Sequence, residues 1–327
     1  MANPHLTVSR SLYAVSLAIA LSLTPAPVSA QPYFGSYDVP NQSPLDRPTS
    51  MAQHGHFANT TMNVRWWVES DWADARANGL GVIVQWPQEF WYGDTFAAGV
   101  DWTVALKWDR PMWTGFPGST AVDWYFAMLR HRDQIVAFMV ADEWDCNYGV
   151  SFRDWSATSC ELMAKKIEAN AGSIKTIFNF HGWNPPVWAN YTAAWTDGLR
   201  RGVAGYRLPY WVDWFSFDAY APWGNCFGNV TCPQLLAAIK SRLRADQRIV
   251  LLPRAFGGSY LGYSPDDYSV ATTMYAYLAY AFGEPQVVAV IPFIEWSIPG
   301  SPITGWGSRP IIGETVKALG RMITNRQ

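Results

Sequence analysis

The chain has 327 residues, with 24 Lys and Arg against 26 Asp and Glu, a formal charge of −2. That balance leaves no electrostatic case for nucleic acid or an anionic membrane as partner, and the length suits one large domain or two ordinary ones. Only 15% of residues are charged while Trp alone numbers 19; such indoles either fill a core or line a cleft that stacks flat, uncharged rings.

The first thirty residues stand apart. Arg10 precedes the apolar run LYAVSLAIALSL, followed by Pro25, Pro27 and a small-residue VSA ending at Ala30. This pattern reads as a secretory signal peptide over 1–30, with an apolar part too short to span a bilayer comfortably. Residues 31–327 are then one secreted domain, and no later stretch is long and apolar enough to cross a membrane.

After the signal, short apolar runs alternate with helical stretches. YFGSYDV (33–39) is the first strand candidate, and FANTTMNV (57–64) is the second and weakest. The helix RWWVESDWADARAN (65–78) leads through Gly79 into LGVIVQW (80–86). DWYFAMLRHR (123–132) is helical and feeds IVAFMVADE (135–143). SCELMAKKIEANAG (159–172) is an amphipathic helix closed by Gly172, followed by KTIFNFHGW (175–183). TAAWTDGLRRGVA (192–204) precedes WVDWFSFDAY (211–220). PQLLAAIKSRLRAD (233–246), with proline at its first helical position, leads to RIVLLPRAF (248–256). DDYSVATTMYAYLAYAF (266–282) precedes VVAVIPFIEWS (287–297), and PIIGETVKALGRMI (310–323) closes the chain.

Continuous Val, Ile, Leu and Phe runs, rather than strict alternation, suit strands buried on both faces of a parallel sheet. Eight such units favour a (β/α)8 barrel, class α/β, over an open doubly wound sheet. The glycine fingerprint of a dinucleotide-binding fold is missing after the first strand.

In such barrels chemistry sits at the C-terminal strand ends. Read in order, these ends supply Tyr37 and Asp38, Asn63, Gln85 and Trp86, Asp142 and Glu143, Asn179 and His181, Asp218 and Tyr220, Arg254, and finally Glu295 and Trp296. Carboxylates end four of them. Cleaving a glycosidic bond needs one carboxyl group to protonate the leaving oxygen and a second to attack or to activate water. Crowded acids in a desolvated cleft also drive one pKa up, which suits it to be the acid. Glu143 is the first candidate for the general acid, with Asp142 as its electrostatic neighbour. Asp218 or Glu295 is the partner, and Asp38 ranks below both. Asn179, His181, Tyr220 and Gln85 can bond hydroxyls, while Trp86, Trp183, Trp223 and Trp296 can stack on ring faces. Arg254 could pair with a catalytic carboxylate or bind an acidic sugar, and Glu295 could equally be a structural partner of Arg254 or Arg309.

These segments resemble the (β/α)8-barrel glycoside hydrolases over the whole of 31–327. A strand-four glutamate, as in VADEWD, is similar to the acid/base position of those barrels, and the aromatic in IEWS is similar to a sugar-platform tryptophan. The large retaining clan carries a nucleophilic glutamate at the end of strand seven, where this chain has Arg254. SFDAY on strand six resembles barrels that use strands four and six instead. The resemblance implies a carbohydrate substrate and no cofactor; the chain is expected to act as a monomer.

Two other readings stay open. A non-catalytic carbohydrate-binding barrel would keep the aromatic cleft and use its acids structurally. A metal-dependent hydrolase is raised by the H-x-H pair His54 and His56, though that pair precedes the second strand. A serine hydrolase is disfavoured, since no G-x-S-x-G elbow occurs. Four cysteines suit export: the spacing suggests local disulfides Cys146–Cys160 and Cys226–Cys232, although three connectivities are possible. Sequons lie at Asn41, Asn59, Asn190 and Asn229.

Overall fold

The structure, a computed structural model, describes residues 31–37, 50–63, 69–85, 120–142, 165, 168–169, 172–180, 208, 210–220, 222–226, 230–259, 265–295, 297 and 303–325, with Asp142 and Asp218 described by their backbone. Eight strands run parallel in it: β1 Tyr33–Phe34, β2 Thr60–Asn63, β3 Gly81–Gln85, β4 Ile135–Asp142, β5 Lys175–Phe180, β6 Trp214–Ala219, β7 Arg248–Pro253 and β8 Val287–Val290. Each bonds to its sequence neighbours, and β8 pairs with β1. The ring closes between β1 and β2 through a parallel bridge from Tyr37 to Met62, with Met62 N–H donating to Ser36 O at 2.9 Å. Gly35 permits this seal, because a Cβ there would lie within 2.8 Å of the Thr60 carbonyl carbon.

Buried side chains form two layers. Inside the ring lie Met62, Ile83, Met139, Ile177, Val250 and Leu252. Between strands and helices lie Val82, Phe138, Phe178, Phe215 and Leu251, with apolar faces of the helices over them. Both faces of each strand are therefore dry, which is why these segments read as unbroken apolar runs.

The helices carry the start signals their sequences contain. α1 (Met51–Gly55), which sequence reading missed, opens on a capping box of Ser50 and Gln53. α2 is Glu69–Ala77. α3 (Ala121–Leu129) opens on Thr120 with Asp123, and α4 (Cys232–Lys240) on Thr231 with Gln234. Asp266 caps α5 (Asp267–Gly283), while α6 (Pro310–Thr324) begins with proline. Each box satisfies backbone N–H groups that have no partner within the helix. Lys165, Glu168 and Ala169 are helical, and Gly172 follows at φ +64°, as expected of a helix stop. The expected helix over 192–204 lies outside the described residues.

Several elements are shorter than their sequences suggest, three of them for a visible reason. β1 stops at Phe34, and the segment after it reaches β2 through the bridge from Tyr37 to Met62. β8 stops at Val290, because Pro292 has no N–H for the ladder; pairing resumes at Phe293, opposite Arg254. α4 ends at Lys240 rather than Asp246, since Arg244 turns to bind Asp246, and Gln247 Nε2 donates to Val212 O at 2.8 Å.

Candidate functional site

The C-terminal strand ends gather on one side of the ring. Tyr37, Tyr220 and Phe256, just beyond β1, β6 and β7, converge on Phe293. Tyr37 meets that ring edge-on, with centroids 4.7 Å apart, and Tyr220 stacks on it at 5.1 Å with planes 22° apart. Phe256 meets both Tyr220 and Phe293 edge-on. Edge-to-face and offset pairs at these separations suit the ring quadrupoles. The result is an aromatic wall in which Tyr37, Tyr220 and Phe256 are buried and Phe293 is half-buried.

The ends of β4, β5 and β6 also carry polar residues. Asp142, the last residue of β4, pairs in register with Asn179 of β5, and Asn179 pairs with Ser216 of β6. Ser216 Oγ donates to Asn179 Oδ1 at 2.8 Å, and both residues are buried. Asp218 lies two residues farther along β6, in register with Leu252 of β7. Gln85, half-buried, ends β3 opposite Met139. Adjacent parallel strands thus bring Asp142, Asn179, Ser216 and Asp218 to one arc of the rim. Sequence reading overlooked Ser216, although its place two residues before Asp218 was the available signal.

Arg254, a candidate on sequence grounds for acid pairing or for an acidic sugar, is buried and holds backbone. Its Nε donates to Phe256 O at 3.1 Å and its Nη2 to Gly258 O at 2.7 Å, while its guanidinium sits 4.1 Å from the Phe256 ring centroid. The cation therefore fixes the turn after β7 and braces one member of the aromatic wall. Arg309 binds Asp267 through Nε at 3.1 Å. Neither arginine is the partner of Glu295. That carboxylate is fully buried, with Oε2 2.9 Å from His54 Nε2.

His56, the second histidine of the H-x-H pair, is exposed at the end of α1. Among the described residues no three His, Cys, Asp or Glu side chains are grouped as metal ligands would be. Trp223, considered above for ring stacking, packs edge-on against Tyr277 at 4.6 Å beside Tyr280. Cys226 and Cys232 form the expected disulfide. Of the other candidates, Asp38, Trp86, Glu143, His181, Trp183, Trp296 and the Cys146–Cys160 pair lie outside the described residues.

No family model and no curated protein matches this chain. Solved structures do match. A β-galactosidase from Rahnella sp. R3 aligns with a TM-score of 0.52 over 93% of this chain at 11% identity, and the chain spans 58% of that protein, less than two thirds of its length. A glucosidase from Croceicoccus marinus aligns with a TM-score of 0.53 over 92% of this chain and 69% of its own, again at 11% identity. Identity this low speaks for architecture. The shared fold is the (β/α)8 barrel.

Proposed function

We propose that the protein is a secreted glycoside hydrolase that cleaves an O-glycosidic bond of a poly- or oligosaccharide by carboxylate chemistry. The observation that carries this reading is the rim arc of Asp142, Asn179, Ser216 and Asp218 on adjacent strands, at the same end of the barrel as the aromatic wall that Phe293 joins. The two structural neighbours named above, a β-galactosidase and a glucosidase, support the same reading. The disulfide Cys226–Cys232 suits an oxidising compartment, and no helix among the described residues is long and apolar enough to cross a membrane.

In this reading Glu143, which follows β4 directly, protonates the leaving oxygen. Asp218, two strands along, attacks the anomeric carbon or draws a proton from water. The acid must start protonated and its partner ionised. Asp142 and its register partner Asn179 flank the acid. Glu295, sealed against His54, takes no part in proton transfer. Phe293, half-buried and backed by the buried Tyr37 and Tyr220, supplies the apolar face against which a pyranose ring rests.

The test is a screen of the purified protein against a polysaccharide panel, reading new reducing ends, followed by Glu143→Gln and Asp218→Asn on whichever glycan is cut. Each exchange is expected to lower kcat by about 10²–10⁴-fold while glycan binding survives. Undiminished hydrolysis by Glu143→Gln would remove that residue from the mechanism. Binding without cleavage by the unaltered protein would favour a carbohydrate-binding barrel.

A further inference from the structure

Two ionisable side chains are sealed from solvent beside the mouth. His54 on α1 and Glu295, beyond the end of β8, both have 0% side-chain exposure, and Nε2 lies 2.9 Å from Oε2. Phe57 and Trp306 wall them in, with ring centroids 5.4 and 6.1 Å from that of the imidazole. The contact is short but poorly aligned: no ring nitrogen of His54 and no carboxylate oxygen of Glu295 makes a hydrogen bond of good geometry. A buried ionisable pair adds little to overall stability, because desolvation cancels most of its attraction and replacing it with an apolar pair of equal volume costs the whole fold little. What such a pair supplies is a specific seat, since each group tolerates burial only next to the other.

The seat matters because of what lies next to it in the chain. The segment leaves the sheet at Phe293, whose N–H donates to Pro253 O at 3.0 Å, and the Phe293 ring joins Tyr37 and Tyr220 in the aromatic wall. Beyond that point Ile294 O accepts from Trp306 N–H at 3.0 Å and Glu295 O accepts from Gly307 N–H at 2.9 Å. Those two bonds tie the segment to the turn before α6. The contact with His54 instead ties it to α1, which leads into β2 on the far side of the ring closure.

We infer that His54 and Glu295 form a positioning unit that seats the segment after β8, so that Phe293 completes the mouth wall; the pair sets substrate affinity and leaves the chemical step alone. This rests on the mouth being the glycan site proposed above. Neither residue touches the reacting bond in this arrangement.

Two variants test it: Glu295→Gln, which keeps shape, and the apolar double exchange His54→Phe with Glu295→Met, which removes the burial cost. In both, KM should rise about fivefold or more with kcat within about twofold, and hydrogen exchange at the Trp306 and Gly307 amides should quicken about tenfold. In the double variant Tm should return to within about 3 °C of the unaltered protein. The inference is overturned if KM and exchange are unchanged in both variants, or if KM in the double variant recovers together with Tm, which marks the pair as packing alone. Should the double variant not fold, Glu295→Gln alone decides. The glycosidase reading is judged separately by Glu143→Gln, and the exchange measurement tests the seat even if that reading fails.

Discussion

Ser216 Oγ donates to Asn179 Oδ1 at 2.8 Å across the β5–β6 ladder, with both residues 1% exposed. An amide carries its acceptor and its donors on opposite corners, so a donor fixed at Oδ1 also fixes where the NH2 group lies. Ser216→Ala removes that donor from a buried acceptor, at a cost of about 1–3 kcal/mol in unfolding free energy. If Asn179 bonds a sugar hydroxyl, kcat/KM also falls, by about tenfold. Urea midpoints and steady-state kinetics check the two effects independently. A stability loss without a kinetic one would place Asn179 outside the substrate site.

Two glycines test the helix packing with opposite signs. A Cβ on Gly320, in the interior of α6, would fall onto the Phe57 carbonyl oxygen and within 2.7 Å of Phe34 Cε1. Alanine is the better helix former by about 1 kcal/mol, but the first obstacle is backbone and cannot rotate away, so overpacking by about 1–3 kcal/mol wins. Gly320→Ala should lower Tm. Gly283 ends α5 with nothing within 4 Å of its would-be Cβ. Gly283→Ala should raise stability by about 0.4–1 kcal/mol, by limiting the unfolded chain. Equal shifts in the same direction would contradict the packing of α6 on β1.

The disulfide clips a short loop at the start of α4. Cys232 is the first residue of that helix, and both sulfurs lie near the Tyr277 hydroxyl, Cys232 Sγ at 3.3 Å. Tyr277 also receives Trp223 edge-on. Breaking the bond frees a loop of few residues, so the entropic model gives about 2 kcal/mol. Cys226→Ala with Cys232→Ala, or reduction under mild denaturant, should lower the urea midpoint accordingly.

The barrel was legible because its strands are dry on both faces, and runs such as RIVLLP and IVAFMV record that directly. The strand ends were legible by position: Asn179 is the next-to-last residue of β5, and Tyr220 and Arg254 directly follow β6 and β7. Contacts joining distant parts of the chain were not. H-x-H suggested a metal pair, whereas His54 is buried against Glu295 and His56 is exposed. The S-x-x-Q cap before α1 was a readable helix signal that outranked it. Arg254 had open choices on paper, and the turn at Phe256 to Gly258 took its Nε and Nη2. The sequon at Asn59 likewise gave no hint that its amide is occupied: Oδ1 accepts from Phe34 N–H at 2.7 Å and Nδ2 donates to Pro32 O at 3.3 Å.

At high pH, Tyr280 should be a weak point of the fold. Burial pushes its phenol up to about 12, and the nearby Glu284 carboxylate adds to the shift. Glu284 itself is held by Lys240. In the unfolded chain a tyrosine loses its proton near pH 10, while in the folded protein Tyr280 keeps it about two units longer. The folded state therefore binds the extra proton throughout that interval. Its contribution to stability is complete below pH 10 and is lost as pH rises from about 10 to 12. Tyr280→Phe has no proton to lose, so its Tm should decline less steeply than that of the unaltered protein over the same range. Thermal melts of both proteins between pH 9 and 12 measure the slopes, and parallel lines would show that the Tyr280 phenol ionises as readily in the fold as outside it.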